Sequence, residues 1–98
     1  MKIALVLGPL RGDRERNMNR AMKVGQMLLA QGVAAVIPHL MYAGMDEKLE
    51  PMIQAACLAL VVKCDLVCVF GMGEPSECLA GEVELARRLG KLIIGISD

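Results

Sequence analysis

The feature that most constrains this chain is an alternation of two kinds of segment. Four short runs rich in β-branched residues and leucine are separated by three longer stretches with helical spacing, and glycine or proline stands at most junctions. Lys2–Leu7 reads as a buried strand stopped by Gly8-Pro9. Over Arg14–Gln31, Met18, Ala21, Met22, Gly25, Leu28 and Leu29 recur three or four apart, with Asp13 or Asn17 as the cap and Gly32 as the stop. Val33–Ile37 is a second strand ended by Pro38, and His39–Met45 is expected to be a loop. Asp46–Lys63 reads as a helix with Leu49, Ile53, Ala56 and Leu60 inward and Pro51 tolerated in its first turns. Leu66–Phe70 is a strand stopped by Gly71-Met72-Gly73. Ser76 caps a helix running to Leu89 and Gly90, and Lys91–Ile96 is the last strand.

The order βαβαβαβ predicts an α/β fold, a three-layer flavodoxin- or Rossmann-like parallel sheet with right-handed crossovers. The strands are almost wholly apolar, as strands covered on both faces must be. The expected strand order is 2-1-3-4. At 98 residues the chain is expected to form a single domain over residues 1–98. In that order the first helix covers strands 1 and 2, and no later helix returns to cover strands 3 and 4 on its side. Leu66, Val67, Val69, Ile93, Ile94 and Ile96 cannot all point at the other two helices. Exposing such side chains costs ~25 cal/mol per Å², so a homodimer or higher homo-oligomer is expected to close that face.

Composition excludes several functions. Eleven basic residues balance eleven acidic ones, and Tyr42 and Phe70 are the only aromatic residues, so neither a phosphate-backbone footprint nor a base-stacking platform for nucleic acid is present. Ile3–Leu7 and Leu58–Val62 are far shorter than the ~20 residues of a spanning helix, so no membrane role is expected. Met1–Leu10 has too short an apolar run for a signal peptide before it meets the charged stretch 11–16. Cys57, Cys64, Cys68 and Cys78 form no C-x-x-C pair and are joined by a single histidine, so no metal site is expected. They read as reduced core or near-core thiols of a cytoplasmic protein. Arg11-Gly12-Asp13 spells an adhesion tripeptide, which has no meaning without secretion. No cofactor is expected.

In open α/β sheets ligands bind beyond the carboxyl ends of the strands, where the strand order reverses. That point lies between the loop Gly8-Pro9-Leu10-Arg11-Gly12-Asp13 and the loop Gly71-Met72-Gly73-Glu74-Pro75-Ser76. Both carry glycines that admit a close ligand, and both lead toward helix N-termini that favour anions. The same glycines serve equally as turns. The third glycine of a dinucleotide fingerprint is missing, and no P-loop is present.

Glu82 is the most informative residue. On a wheel at ~100° per residue, Leu79, Val83, Ala86, Leu89 and Gly90 share one arc, and Glu77, Glu84 and Arg88 lie opposite. Glu82 falls inside the apolar arc. A carboxylate aimed at a sheet is costly unless paired, hydrogen-bonded or neutralised, which marks a candidate functional acid. Its place in the helix's N-terminal half favours the ionised form, and such a carboxylate suits attack on a sugar anomeric carbon. The plainer alternative is a rim side chain paired with an arginine. Ser76 offers a hydroxyl to a phosphate or merely caps its helix. Arg11 pairs an anion or belongs to a solvated charged turn, and His39 at the end of strand 2 is either structural or a ligand contact.

These residues in this order resemble the nucleoside 2-deoxyribosyltransferase-like superfamily, and its small bacterial and phage-type members in particular. The matching stretches are Gly8–Asp13 with Asn17 and Ala21, Pro38-His39-Leu40, Cys64-Asp65, and Pro75-Ser76 with Glu82, Ala86 and Gly90-Lys91. The resemblance implies a flavodoxin-like sheet, an oligomer, and cleavage of the N-glycosidic bond of a small-molecule deoxynucleoside or nucleotide. It places the nucleophile on Glu82, and a substrate-binding set on Gly8, Pro9, Arg11, Gly12, His39, Gly71 and Ser76, of which Gly8, Arg11, Gly12 and Ser76 would cradle a 5′-phosphate. Two departures stand out. Cys78 replaces the glycine usual two residues after the serine, narrowing the cradle. Cys57 replaces the aspartate that protonates the leaving base in active relatives, a role worth ~10²–10⁴-fold; Glu74, Asp98 or a neighbouring subunit are the alternatives.

Three functions therefore compete. The first is a deoxyribosyl-transferring or hydrolysing enzyme acting through Glu82. The second is a nucleotide-binding module without turnover. The third is an oligomeric interaction protein.

Overall fold

The computed structural model describes residues 1–97. It contains β1 (Ile3–Leu7), α1 (Arg14–Ala30), β2 (Ala34–Val36), a short α2 (Pro38–Met41), a 3-10 turn (Glu47–Leu49), α3 (Glu50–Lys63), β3 (Leu66–Phe70), α4 (Glu77–Arg88) and β4 (Leu92–Ile96). The four strands form one parallel sheet in the order β2-β1-β3-β4. Leu5 faces Val67 across the central pair, and Val67 faces Ile93 across the next. The reversal in strand order therefore lies between β1 and β3, as the element order predicts.

Alternate residues of each strand feed two cores. Leu5, Leu7, Val67 and Val69 pack with Val61 and Cys64 of the α3 end and with Leu79, Val83 and Ala86 of α4. Ala4, Val6, Leu66, Cys68 and Phe70 pack with Ala21, Val24 and Leu28 of α1. The helix α1 thus reaches across β3, which corrects the expectation that it covers β1 and β2 alone. On that side β4 is covered only at Ile96, which packs against this core; Leu92 is 59% and Ile94 37% exposed, while Ile93 on the opposite face is half-buried.

Several local expectations also change. Residues 38–41 are helical rather than loop, because Pro38 sits at the first position of a helix, where its missing N–H costs nothing. The inward face of α3 is Cys57 and Val61, not Leu49; apolar residues surround this helix, so its periodicity is weak. On α1, Met22 and Leu29 are exposed, whereas Val24 and Asn17 are buried. Asp13, not Asn17, is the cap, its Oδ1 accepting from Arg16 N at 3.0 Å. Cys57, Cys64 and Cys68 are buried thiols, but Cys78 is exposed. No described helix is long and apolar enough to cross a membrane.

Candidate active site

The two crest loops meet directly. Gly71 has φ +66°, and a side chain there would come within 2.7 Å of the Pro9 ring. Gly8 lies against the Phe70 ring so closely that any Cβ would overlap it. Gly8 and Pro9 are both buried. Of the glycines in the first loop, only Gly12 faces open space. The glycines at 8 and 71 are therefore required by packing, and Gly12 in the first loop and Gly73 in the second face open space.

A polar network locks this crest from the α1 side. Asn17, 2% exposed, donates from Nδ2 to the Arg11 carbonyl at 3.0 Å and accepts from Arg20 Nη1 at 3.1 Å. Arg20 forms a two-pronged pair with Glu74, at 3.2 and 2.7 Å, and its guanidinium lies 4.9 Å from the centre of the Phe70 ring. One side chain of α1 thus holds both loops. Spacing alone does not single out Arg20. Asn17, however, falls on the helix arc of Ala21, Val24 and Leu28, and a polar residue at such an apolar position is the one trace this network leaves in the sequence. Glu74 is engaged by Arg20 and so is badly placed to protonate a leaving group; Asp98 lies outside the described residues.

His39 pins the first loop from the other edge. It is 6% exposed, and its Nε2–H donates to the Pro9 carbonyl at 2.9 Å. Burial pushes its pKa down, outweighing the Pro9 carbonyl, with Arg20 lowering it further. The ring is therefore neutral, with Nδ1 an acceptor that has no partner. His39 and Tyr42 line a cavity of about 260 Å³ together with Leu10, Arg11, Arg14, Glu50 and Ile53.

Glu82 lies on the inner side of α4, half-buried beside Leu79, Val83 and Ala86. Among the described residues no donor or cation bonds its carboxyl. Loss of solvent raises its pKa from 4.5 to about 7. Across from it on α3, burial lifts the Cys57 thiol to about 12, with the charge of Glu82 and then Cys78 adding to the effect. Cys57 stands one helical turn beyond Ile53, which lines the cavity, and is not itself part of that lining. Cys78 in turn adds, after Glu50, to the raised pKa of Arg11. Arg11 and Cys78, Cys78 and Cys57, and Cys57 and Glu82 are thus close enough for each to feel the other's charge. Glu82 itself is not a wall of the 260 Å³ cavity.

Ser76 is in extended conformation, its Oγ accepting from Leu79 N at 3.2 Å. Its hydroxyl proton remains available. Arg11 donates from Nε and Nη2 to Glu50 Oε1, a pairing 39 residues apart that no local pattern announces. On the outer side of α4, Glu84 pairs with Arg87 and Arg88 as the wheel implies for a solvated face. Among the described residues no group of three or more His, Cys, Asp or Glu side chains is placed to hold a metal ion.

A family profile described as "Domain of unknown function (DUF7768)" matches residues 2–96. Among solved structures, the chain is similar to the CMP N-glycosidase BcmB of Clostridium botulinum, with TM-score 0.63, 19% identity, and coverage of 96% of this chain and 67% of that one. It is also similar to a 2-desoxiribosyltransferase from Leishmania mexicana, with TM-score 0.65, 20% identity, and coverage of 99% and 65%. The chain spans about two thirds of the length of these structures. No curated protein sequence matches it. At such identities the likeness establishes the fold, an α/β fold that the chain shares with both structures.

Proposed function

The chain belongs to the DUF7768 family, and we propose that within it this protein cleaves the bond between base and deoxyribose in a small deoxynucleoside or nucleotide, with Glu82 as nucleophile. One observation carries the reading: a carboxyl on the inner side of α4, stripped of solvent and without a bonded partner among the described residues, in a fold shared with an N-glycosidase and a deoxyribosyltransferase. Nothing in the packing requires an acid there. The half-buried environment leaves its lone pairs free for an electrophilic carbon.

In this reaction a Glu82 carboxylate oxygen attacks C1′ of the sugar. The C1′–N bond breaks and its electron pair leaves with the base. The resulting glycosyl ester is opened at C1′ by water in a hydrolase or by a second base in a transferase, and the carboxylate is restored. Gly12 and Ser76 present polar groups on the open side of the crevice. Gly8, Pro9, Gly71 and His39 act one step back, by holding the loops. Cys57 is too weak an acid to protonate the leaving base, so turnover is expected to be slow or to favour bases that leave readily.

The Cys57 thiol also supports a second reading, a nucleotide-binding module with no turnover. The two separate cleanly. Deoxynucleosides and their 5′-monophosphates are incubated with wild type and with Glu82→Gln, and free base is followed by chromatography. The enzyme reading expects release by wild type and a loss on the order of 10³-fold or more in the variant. Equal rates from both proteins would remove Glu82 as nucleophile. A thermal shift with these ligands and no free base from any of them would leave the binding module.

A further inference from the structure

Accepting the glycosidic reading above, we propose that the site selects a 2′-deoxynucleoside without a 5′-phosphate, and that Glu50 imposes this choice by occupying Arg11. One of the solved structures similar to this chain is named for a nucleoside monophosphate and another for a deoxyribosyltransferase, so phosphate state is a real question on this fold.

Of the groups that would receive a phosphate, Gly12 and Ser76 stay open, but the cation among them, Arg11, is already engaged. Arg11 directs both Nε and Nη2 at one Glu50 oxygen, and this ion pair lies on the wall of the cavity. Gly8 is buried against the Phe70 ring. Cys78 places a side chain in the first turn of α4, within the electrostatic reach of Arg11. Around the cavity, Asp46, Glu47 and Glu50 outnumber Arg11 and Arg14, and the buried His39 adds no positive charge. A 5′-phosphate carries about −1.5 to −2 charge at neutral pH. It would have to displace Glu50 from Arg11 and then lie beside the carboxylate it released. Juxtaposed like charges disfavour the wrong partner strongly. A neutral nucleoside meets none of this opposition, and the Glu50–Arg11 pair stays intact as part of the wall.

The test uses the intact chain and matched pairs of a 2′-deoxynucleoside and its 5′-monophosphate, with kcat/KM measured from free base released. Wild type is expected to prefer the nucleoside by ~10-fold or more. In Glu50→Gln the ratio of the two kcat/KM values is expected to fall several-fold toward unity, through a lower KM for the monophosphate. Circular dichroism of the variant confirms that it is folded, and the wild-type ratio stands whether or not it is. A wild type that cleaves the monophosphate as well as or better than the nucleoside overturns this inference and leaves the glycosidic reading intact. Base release from neither substrate overturns that reading itself. A selectivity that Glu50→Gln does not move overturns the role given to Glu50.

Discussion

At the scale of the residue, Glu82 couples function to stability, and the sign can be worked out. Its folded pKa is raised from 4.5 to about 7 by loss of solvent. Between those values the folded protein keeps a proton that the unfolded chain has lost. Stability from this group is therefore full below about pH 4.5, falls as pH rises through the window, and is lost above about pH 7. Each tenfold change in proton affinity is worth about 1.4 kcal/mol; for a half-buried carboxyl with some screening the whole loss is on the order of 2 kcal/mol. Glu82→Gln has no such titration. Its melting temperature is expected to exceed that of wild type at pH 8 by roughly 5–10 °C, with the gap shrinking toward pH 5. Melts of both proteins from pH 5 to 8 check this, and a difference that does not change with pH contradicts it. Base release has the opposite dependence. The attacking form is the carboxylate, so the rate rises from pH 6 to 8 with its midpoint near the Glu82 pKa of about 7.

Cys57 is the complementary residue. In Cys57→Asp a second carboxyl faces Glu82 in a desolvated crevice. Two such groups cannot both ionise readily, so one stays protonated at neutral pH and can donate to the leaving base. Base release is expected to rise by ~10–100-fold, part of the range for general acid catalysis. The buried polar group lowers stability by about 1–3 kcal/mol. Chromatography and thermal melts on the same samples measure both effects, with Cys57→Ser as the control expected to show no gain in rate.

At the scale of the element, the crest depends on α1 reaching the loop after β3. Asn17 and Arg20 of α1 tie that helix to the first loop at the Arg11 carbonyl and to the second at Glu74, joining three segments. Arg20 is well covered, with its side chain 10% exposed, so truncation strands the polar groups it serves. Arg20→Ala is expected to lower unfolding free energy by about 2–3 kcal/mol, and Glu74→Gln by less. The double variant should cost clearly less than the sum of the two. Urea unfolding of the three variants measures this, and strict additivity would mean the pair does not act as a unit. The sequence made the four strands legible because each is a short apolar run bounded by glycine or proline. It also made the inward turn of Glu82 legible, because α4 carries a clean polar face against which one acid is out of place. It hid α2, since Pro38 ends a strand and starts a helix with the same residue. It hid the inward face of α3, where Met52, Leu58 and Val62 are apolar yet exposed. The Arg11–Glu50 and Arg20–Glu74 pairs join distant segments and leave no periodic trace.

At the scale of the whole molecule, one apolar surface lacks a cover. The α1 layer buries Leu66, Cys68 and Phe70 of β3 and reaches β4 only at Ile96, so Leu92 and Ile94 remain 59% and 37% exposed. The edge of β4 is also unpaired within the sheet. Burying such side chains is worth ~25 cal/mol per Å², and a second copy presents the same surface in self-complementary form. A two-fold dimer through β4 is therefore the expected assembly. Wild type should scatter light as a dimer or higher oligomer at micromolar concentration. Ile94→Asp places a charge at the centre of that face while sparing Ile93, which packs on the opposite core. It is expected to give a folded monomer, since Ile94 takes no part in either core cluster. A wild type that is monomeric at these concentrations removes the dimer. An Ile94→Asp protein that remains dimeric places the contact elsewhere. If the monomer still releases base, the crevice between α3 and α4 is complete within one chain; if it loses base release while keeping its fold, the partner supplies the acid that Cys57 does not.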